Sequence, residues 1–288
     1  MRMSKIAYVA VALVIALAAI GLAKTRNRTG DRSEVPASSA ADTEAAMPSS
    51  KTEPVVPKVS PAEAAISEAA RRNRYVFVTF YRKNDGASKK MQTAMKSAQN
   101  KLSHRAGFVS VDVDDPVHQE VLARYGADRS PMPLTLVIAP NGAVTAGFPN
   151  EIKKTDFSDV FVSNGLATAL KVLQSQKLAA VCVQGTRTKN NKKSLATAEE
   201  LKAAPELGGA VEIVKIDPSD RSELKFMKMC QVDTRSTDAQ LLVLAPPGKL
   251  VGRFNGTATK DTIMASLRAS LGGGGCGSGG CGPSGCGP

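Results

Sequence analysis

"VFVTFYRKNDGASKKM", residues 76–91, decides how this chain is read. Six β-branched or aromatic residues from Val76 to Tyr81, with Thr79 among them, have the composition of a strand. Five polar or small residues follow, and then a helical run begins. Asp85 stands where that run starts, and a short acceptor side chain before a helix satisfies N–H groups that otherwise lack partners. The unit is therefore a strand, a polar loop and a capped helix, with Asp85 and Ser88 bracketing the turn.

Working outward, the same stretch sits inside an ordered series. "PAEAAISEAARRNR" opens on Pro61 and predicts a helix, and "SKKMQTAMKSAQNKL" places Met91, Met95 and Leu102 on one helical side. "GFVSVDVDD" reads as a strand, "PVHQEVLARYG" as a short helix and "PLTLVIAPNGAVTAGF" as a hairpin around Pro140-Asn141-Gly142. "DFSDVFVSN" reads as a last short helix. From residue 165 the series recurs. Lys89-Lys90 falls on Lys192-Lys193 and Asp114 on Asp217 at a spacing of 103. Ser130 falls on Ser236, Ala139-Pro140 on Ala245-Pro246, Gly142 on Gly248 and Phe148 on Phe254 at a spacing of 106. One three-residue insertion reconciles the two, so residues 61–164 and 165–271 are read as tandem copies of one domain. Strands joined through helices lie parallel and a terminal hairpin adds an antiparallel edge, which makes each copy an α/β unit with a mixed sheet flanked by helices.

This order resembles the thioredoxin fold, and particular residues carry the resemblance. Phe80-Tyr81 looks like the aromatic pair that ends the family's strand before its active loop. Asp85, Gly86, Ala87, Ser88 and Lys89 lie on the family's C-G-P-C-K segment, with Gly86 and Lys89 retained. Met132-Pro133 looks like the site of the family's cis-proline, preceded by the similar Arg124-Tyr125-Gly126. The resemblance implies two tandem thioredoxin-like domains, clearer over 61–164 than over 165–271. It also implies a groove at Met132-Pro133 that holds an extended protein or peptide partner.

The departures bear on chemistry. Thiol exchange needs a thiolate at the helix start, where the dipole lowers its pKa, and a second thiol to resolve the mixed disulfide. Asp85 and Ser88 supply neither, so no catalytic residue is expected at this loop. In the second copy the loop from Gly185 to Lys192 has no cysteine, and Ala239 stands at the proline position. Cys182, in a core strand, and Cys230, on a helix, are read as small buried hydrophobes. A disulfide between them would require close Cα atoms. His104 and His118 are read as isolated surface or half-buried residues.

The ends differ in kind from the body. Residues 6–23, "IAYVAVALVIALAAIGLA", hold 18 residues without a charge, the length of a signal anchor or a signal peptide. Lys24, Arg26 and Arg28 follow, and basic residues there resist translocation. The expectation is a membrane partner for residues 1–23, a disordered spacer over 24–60 and an extracytoplasmic body, with secretion after cleavage as the alternative. Residues 272–288 are rich in glycine, with Cys276, Cys281 and Cys286 five residues apart. Such flexible thiols suit a soft metal (copper or zinc), disulfides, or a redox arm, although no CxxC and no histidine is near. Elsewhere no cofactor is expected. The net charge of +12 would attract nucleic acid, yet with no Trp and few aromatics in the basic second half, stacking platforms are missing. The reading is a non-redox binding or scaffold protein of the cell envelope, peptide-binding or chaperone-like, with a tail-based thiol-disulfide oxidoreductase or soft-metal handler as the alternative.

Overall fold

A computed structural model describes residues 60–152 and 157–271. The apolar segment 1–23, the spacer up to residue 59 and the tail with Cys276, Cys281 and Cys286 lie outside the described residues. Among those described, no helix is long and apolar enough to cross a membrane.

The first half runs α1 (Pro61–Arg71), β1 (Tyr75–Tyr81), α2 (Gly86–Leu102), β2 (Ala106–Asp112), α3 (Gln119–Tyr125), β3 (Leu134–Ile138) and β4 (Val144–Pro149). The second runs α4 (Asn164–Gln174), β5 (Leu178–Val183), α5 (Asn191–Lys202), β6 (Val211–Ile216), α6 (Leu224–Met229), β7 (Gln240–Ala245), β8 (Lys249–Asn255) and α7 (Lys260–Leu271). The sheet orders are β2-β1-β3-β4 and β6-β5-β7-β8. In each, the first pair is parallel because a helix carries the chain back, and the other two pairs are antiparallel. These are the two mixed sheets flanked by helices that the sequence predicts.

The two copies agree in register as well as in order. Val76 pairs with Ile138 and Ala179 with Leu244, reproducing the spacings of 103 and 106. Both hairpins carry a bulge at the same place, between Val137 and Ile138 and between Val243 and Leu244. Ser60 caps α1 and Ser163 caps α4, again 103 apart. One detail is corrected. Tyr81 pairs with Asp112, and Val183 pairs with Ile216, so the partner of Asp217 is Asp112 rather than Asp114. The insertion is therefore split. Two residues enter between α5 and β6, where the turn at Pro205–Leu207 and two glycines at positive φ, Gly208 and Gly209, lengthen the connection. The third enters before β7.

Each sheet is buried on both faces. In the first half Val76, Val78 and Phe80 face α1 and α3, packing with Ala62, Ala69, Val121 and Leu122. Phe77 points the other way, toward α2, and is fully buried, worth roughly 2–3 kcal/mol relative to exposure. In the second half α7 closes the corresponding face through Ile263, Met264 and Leu267. Among the described residues of "DFSDVFVSN" the expected closing α-helix is replaced by a single 3-10 turn, Ser158–Val160. Aromatic rings take over its packing. Phe157 meets Phe77 edge-on at 5.6 Å and Phe148 at 6.0 Å, while Phe77 stacks on Phe108 at 4.8 Å.

Tyr75 Oη donates to the Val162 carbonyl (2.9 Å) and accepts from the Val162 N–H (3.0 Å), holding the end of the first half. There the halves share a joint. The Gln174 amide donates to the Val144 carbonyl (2.7 Å) and accepts its N–H (3.0 Å), satisfying the outer edge of β4 as a neighbouring strand would. Ala139, Ala143 and Ala167 pack beneath these bonds with Leu170.

Candidate functional site

Both loops that follow the first strand of a half lie at the carboxyl end of a parallel pair, where open α/β sheets hold their ligands. In the first half Asp85 adopts extended backbone and Oδ2 accepts the Ser88 N–H at 2.7 Å. Hydrogen bonding from Ser88, its side chain first and its N–H second, lowers the Asp85 pKa below the usual carboxylate range. Ser88 is buried, and its Oγ accepts the Arg82 N–H at 3.2 Å, so the loop is tied at both ends. Gly86 faces open space: a Cβ added there meets nothing within 4 Å. Ala87 and Lys89 are exposed. The loop thus offers backbone and small side chains to solvent and holds no nucleophilic pair.

Pro133 precedes Leu134, which pairs with Phe80 at the loop end of β1. The Met132–Pro133 peptide is cis, as the sequence leads one to expect at this place. Pro133 is buried, Met132 is half-buried against the core that contains Phe80, and Pro131 is exposed. The Pro133 carbonyl accepts the Asn150 N–H at 2.6 Å, whereas the N–H and carbonyl of Met132 have no partner among the described residues.

The second half treats the same place differently. Thr188 and Asn191 occupy the positions matching Asp85 and Ser88, and Thr188 Oγ1 donates to Asn191 Oδ1 at 2.7 Å. The helix starts at Asn191, leaving Lys189, the counterpart of Gly86, in extended chain. Its N–H donates to the Thr237 carbonyl (2.8 Å) and its carbonyl accepts the Ala239 N–H (2.9 Å), a parallel bridge to Asp238. Asn190 Nδ2 donates to Asp238 Oδ1 at 2.8 Å. Lys189 therefore bonds the counterparts of the Pro131 carbonyl and the Pro133 nitrogen, while the Asp238 N–H and carbonyl, which match those left free at Met132, are engaged by Ser236 Oγ at 3.1 Å each. The Ala239 N–H that makes this closure possible is the one a proline lacks.

Beside the first loop, Lys83 Nζ meets Asp112 Oδ2 at 2.7 Å. The bond lowers the Asp112 pKa and raises that of Lys83. His118 is buried, contrary to the surface or half-buried reading, and its Nδ1 lacks a hydrogen bond. The two copies explain its burial: Asp115 and Asp220 each cap a 3-10 turn, so His118 corresponds to Glu223. Glu223 is also buried; its oxygens accept Ser163 Oγ–H (2.6 Å) and the Gly165 N–H (2.7 Å), holding the start of α4. Sequence reading missed both. The repeat spacing of Asp115 and Asp220 was the signal that could have found them.

Cys182 and Cys230 are both free and buried, on opposite faces of the second sheet. That separation rules out a disulfide between them, and burial pushes each thiol up to about 11. Among the described residues no cluster of three His, Cys, Asp or Glu side chains is placed to hold a metal ion.

No family model matches the sequence. No curated protein matches it either. The similar solved structures are thioredoxin-fold proteins. They include Deadhead, a germline-specific thioredoxin of Drosophila melanogaster, at 24% identity over 32% of this chain and 82% of that one, with a TM-score of 0.27. The first two thioredoxin domains of Saccharomyces cerevisiae Eps1p are 12% identical over 77% of this chain and 99% of that one, with a TM-score of 0.24. Human ERp44 in its zinc-bound form is 14% identical over 72% of this chain and 58% of that one, with a TM-score of 0.27. At such values the strand order and register described above, not these likenesses, carry the assignment of a thioredoxin-like fold to each half.

Proposed function

We propose that this protein binds extended polypeptide through its first half and performs no thiol exchange there. The observation that carries the reading is the contrast between the copies. At Met132 a backbone N–H and carbonyl stand unpartnered beside an exposed small-residue loop, while in the second half the matching groups of Asp238 are held by Ser236 Oγ and Lys189 bridges the residues on either side. An extended chain can pair with such a free edge through main-chain hydrogen bonds, which gives affinity with little sequence preference. Asp85 and Ser88 leave the loop capped and without a thiol. The protein would then act as a peptide-binding or chaperone-like scaffold of the cell envelope, with residues 1–23 as its membrane attachment and the body extracytoplasmic.

Binding of a pool of cysteine-free 12-residue peptides to the full chain tests this. Pro133→Ala restores an N–H at the position where Ala239 closes the second copy, and it should weaken binding. Equal binding by wild type and Pro133→Ala would count against the proposal.

A second reading rests on the five-residue spacing of Cys276, Cys281 and Cys286. Such thiols would handle a soft metal or exchange disulfides as a tethered arm. Metal analysis and thiol titration of the protein with and without residues 272–288 separate it from the first; no bound metal and no tail-dependent exchange would dismiss it.

A further inference from the structure

We propose that the outer edge of β2 is a self-association surface, on which two chains pair β2 to β2, antiparallel, about a twofold axis at Val109. The edge is open. Among the described residues β2 pairs only with β1, whereas Gln174 covers part of the opposite edge at Val144. Its polarity follows from the ladder. The Tyr75 N–H donates to the Arg105 carbonyl (3.3 Å) and the Val113 N–H to the Tyr81 carbonyl (3.0 Å), so odd-numbered residues face β1. Phe108 and Ser110 face outward, and their N–H and carbonyl groups have no partner among the described residues. Arg74 Nη2 already takes the Ala106 carbonyl at 2.9 Å.

An exposed edge is normally guarded by charge. The second half obeys this: β6 carries Glu212, held by Lys177 at 2.7 Å and Lys202 at 3.0 Å, and an exposed Lys215. Between Gly107 and Val111, β2 carries no charge at all. Clefts flank it on both faces, one of ≈ 190 Å³ under α1 beside Gly107 and Phe108, the other of ≈ 220 Å³ under α2 beside Val109 and Ser110. They leave room for the alternating side chains of an added strand.

Charge at the strand's ends selects the occupant. β2 begins beside the exposed Arg105, with Arg74 close by, and ends before the exposed Asp114 and Asp115. A second copy running antiparallel sets each basic end against the other's acidic end. With the axis at Val109, Phe108 of one chain faces Ser110 of the other, and each such pair exchanges two hydrogen bonds. All four outward groups of each chain are then satisfied. The contact is isologous, as closed dimers are.

The test is sedimentation of the full chain in mild detergent with reducing agent, at physiological ionic strength, against concentration. Wild type should show a reversible monomer–dimer equilibrium. Ser110→Pro deletes an outward donor while leaving the β1 ladder whole, twice per dimer, and should weaken association about tenfold or more. Arg105→Asp should weaken it, and adding Asp114→Arg and Asp115→Arg should restore it, which keeps the test decisive should the proline variant misfold. Monomer at every concentration would overturn the proposal. So would a dimer indifferent to these changes, or slow exchange of the Phe108 and Ser110 amides in a monomer, which would mean that the chain covers its own edge.

Discussion

An Asp85→Ala variant removes the acceptor of the Ser88 N–H and leaves the start of α2 uncapped. Its melting temperature should fall, while Asp85→Asn, a good cap without charge, should keep most of the wild-type value. The pH dependence has a definite sign. A lowered carboxylate pKa stabilises the fold above the unfolded value of about 3.9, and that contribution is lost as pH falls through the lowered folded value. Wild type should therefore lose stability relative to Asp85→Asn below about pH 4. A flat difference between the two from pH 7 to pH 2 would contradict the assignment. Cys182 and Cys230 make the complementary case. With thiols pushed up to about 11 by burial, neither should react with a disulfide reagent at pH 7.5 in a chain whose tail cysteines are serine, and both should react once it is unfolded. Fast labelling of the native protein would show the core to be open. Asp85 was legible as a cap because a cap is a local device. The burial of His118 and Glu223 was not; Glu223 is held by the start of α4, tens of residues away.

Between elements, the start of α4 is the tightest contact. A Cβ on Gly165 would sit 2.4 Å from Ile216 Cγ2 and 2.7 Å from Glu223 Oε2. Gly165→Ala should cost about 1–3 kcal/mol despite its better helix propensity, read by chemical denaturation. Stabilisation would mean that β6 and the Glu223 turn can retreat. The strands, the hairpins and the tandem order were readable because each follows from a short periodic run. The missing closing helix of the first half was not. "DFSDVFVSN" has helical spacing, yet Phe157 and Phe161 gain more by packing against Phe77 and Tyr75 than by continuing a turn. The closure at Lys189 was equally hidden, because two residues of unwound helix decide it. The loss of proline at 239 was noticed in the sequence; the bond made by the N–H it leaves behind was not.

Across the molecule, the two halves are joined by polar contacts that neither could satisfy alone. Gln174→Ala should orphan the Val144 N–H and carbonyl and cost about 1–3 kcal/mol at the joint. Calorimetry should show the wild-type halves melting together and the variant's transitions drawing apart; an unchanged single peak would mean the joint contributes little. The open groove of the first half and the closed one of the second make the account's central claim, and backbone amide shifts measured during peptide titration test it most directly. With the three tail cysteines replaced by serine, cysteine-free peptides should still bind and should shift the amides of Gly86, Ser88 and Met132 while leaving those of Lys189 and Ala239 in place. Binding abolished by that replacement, or shifts confined to the second half, would contradict it.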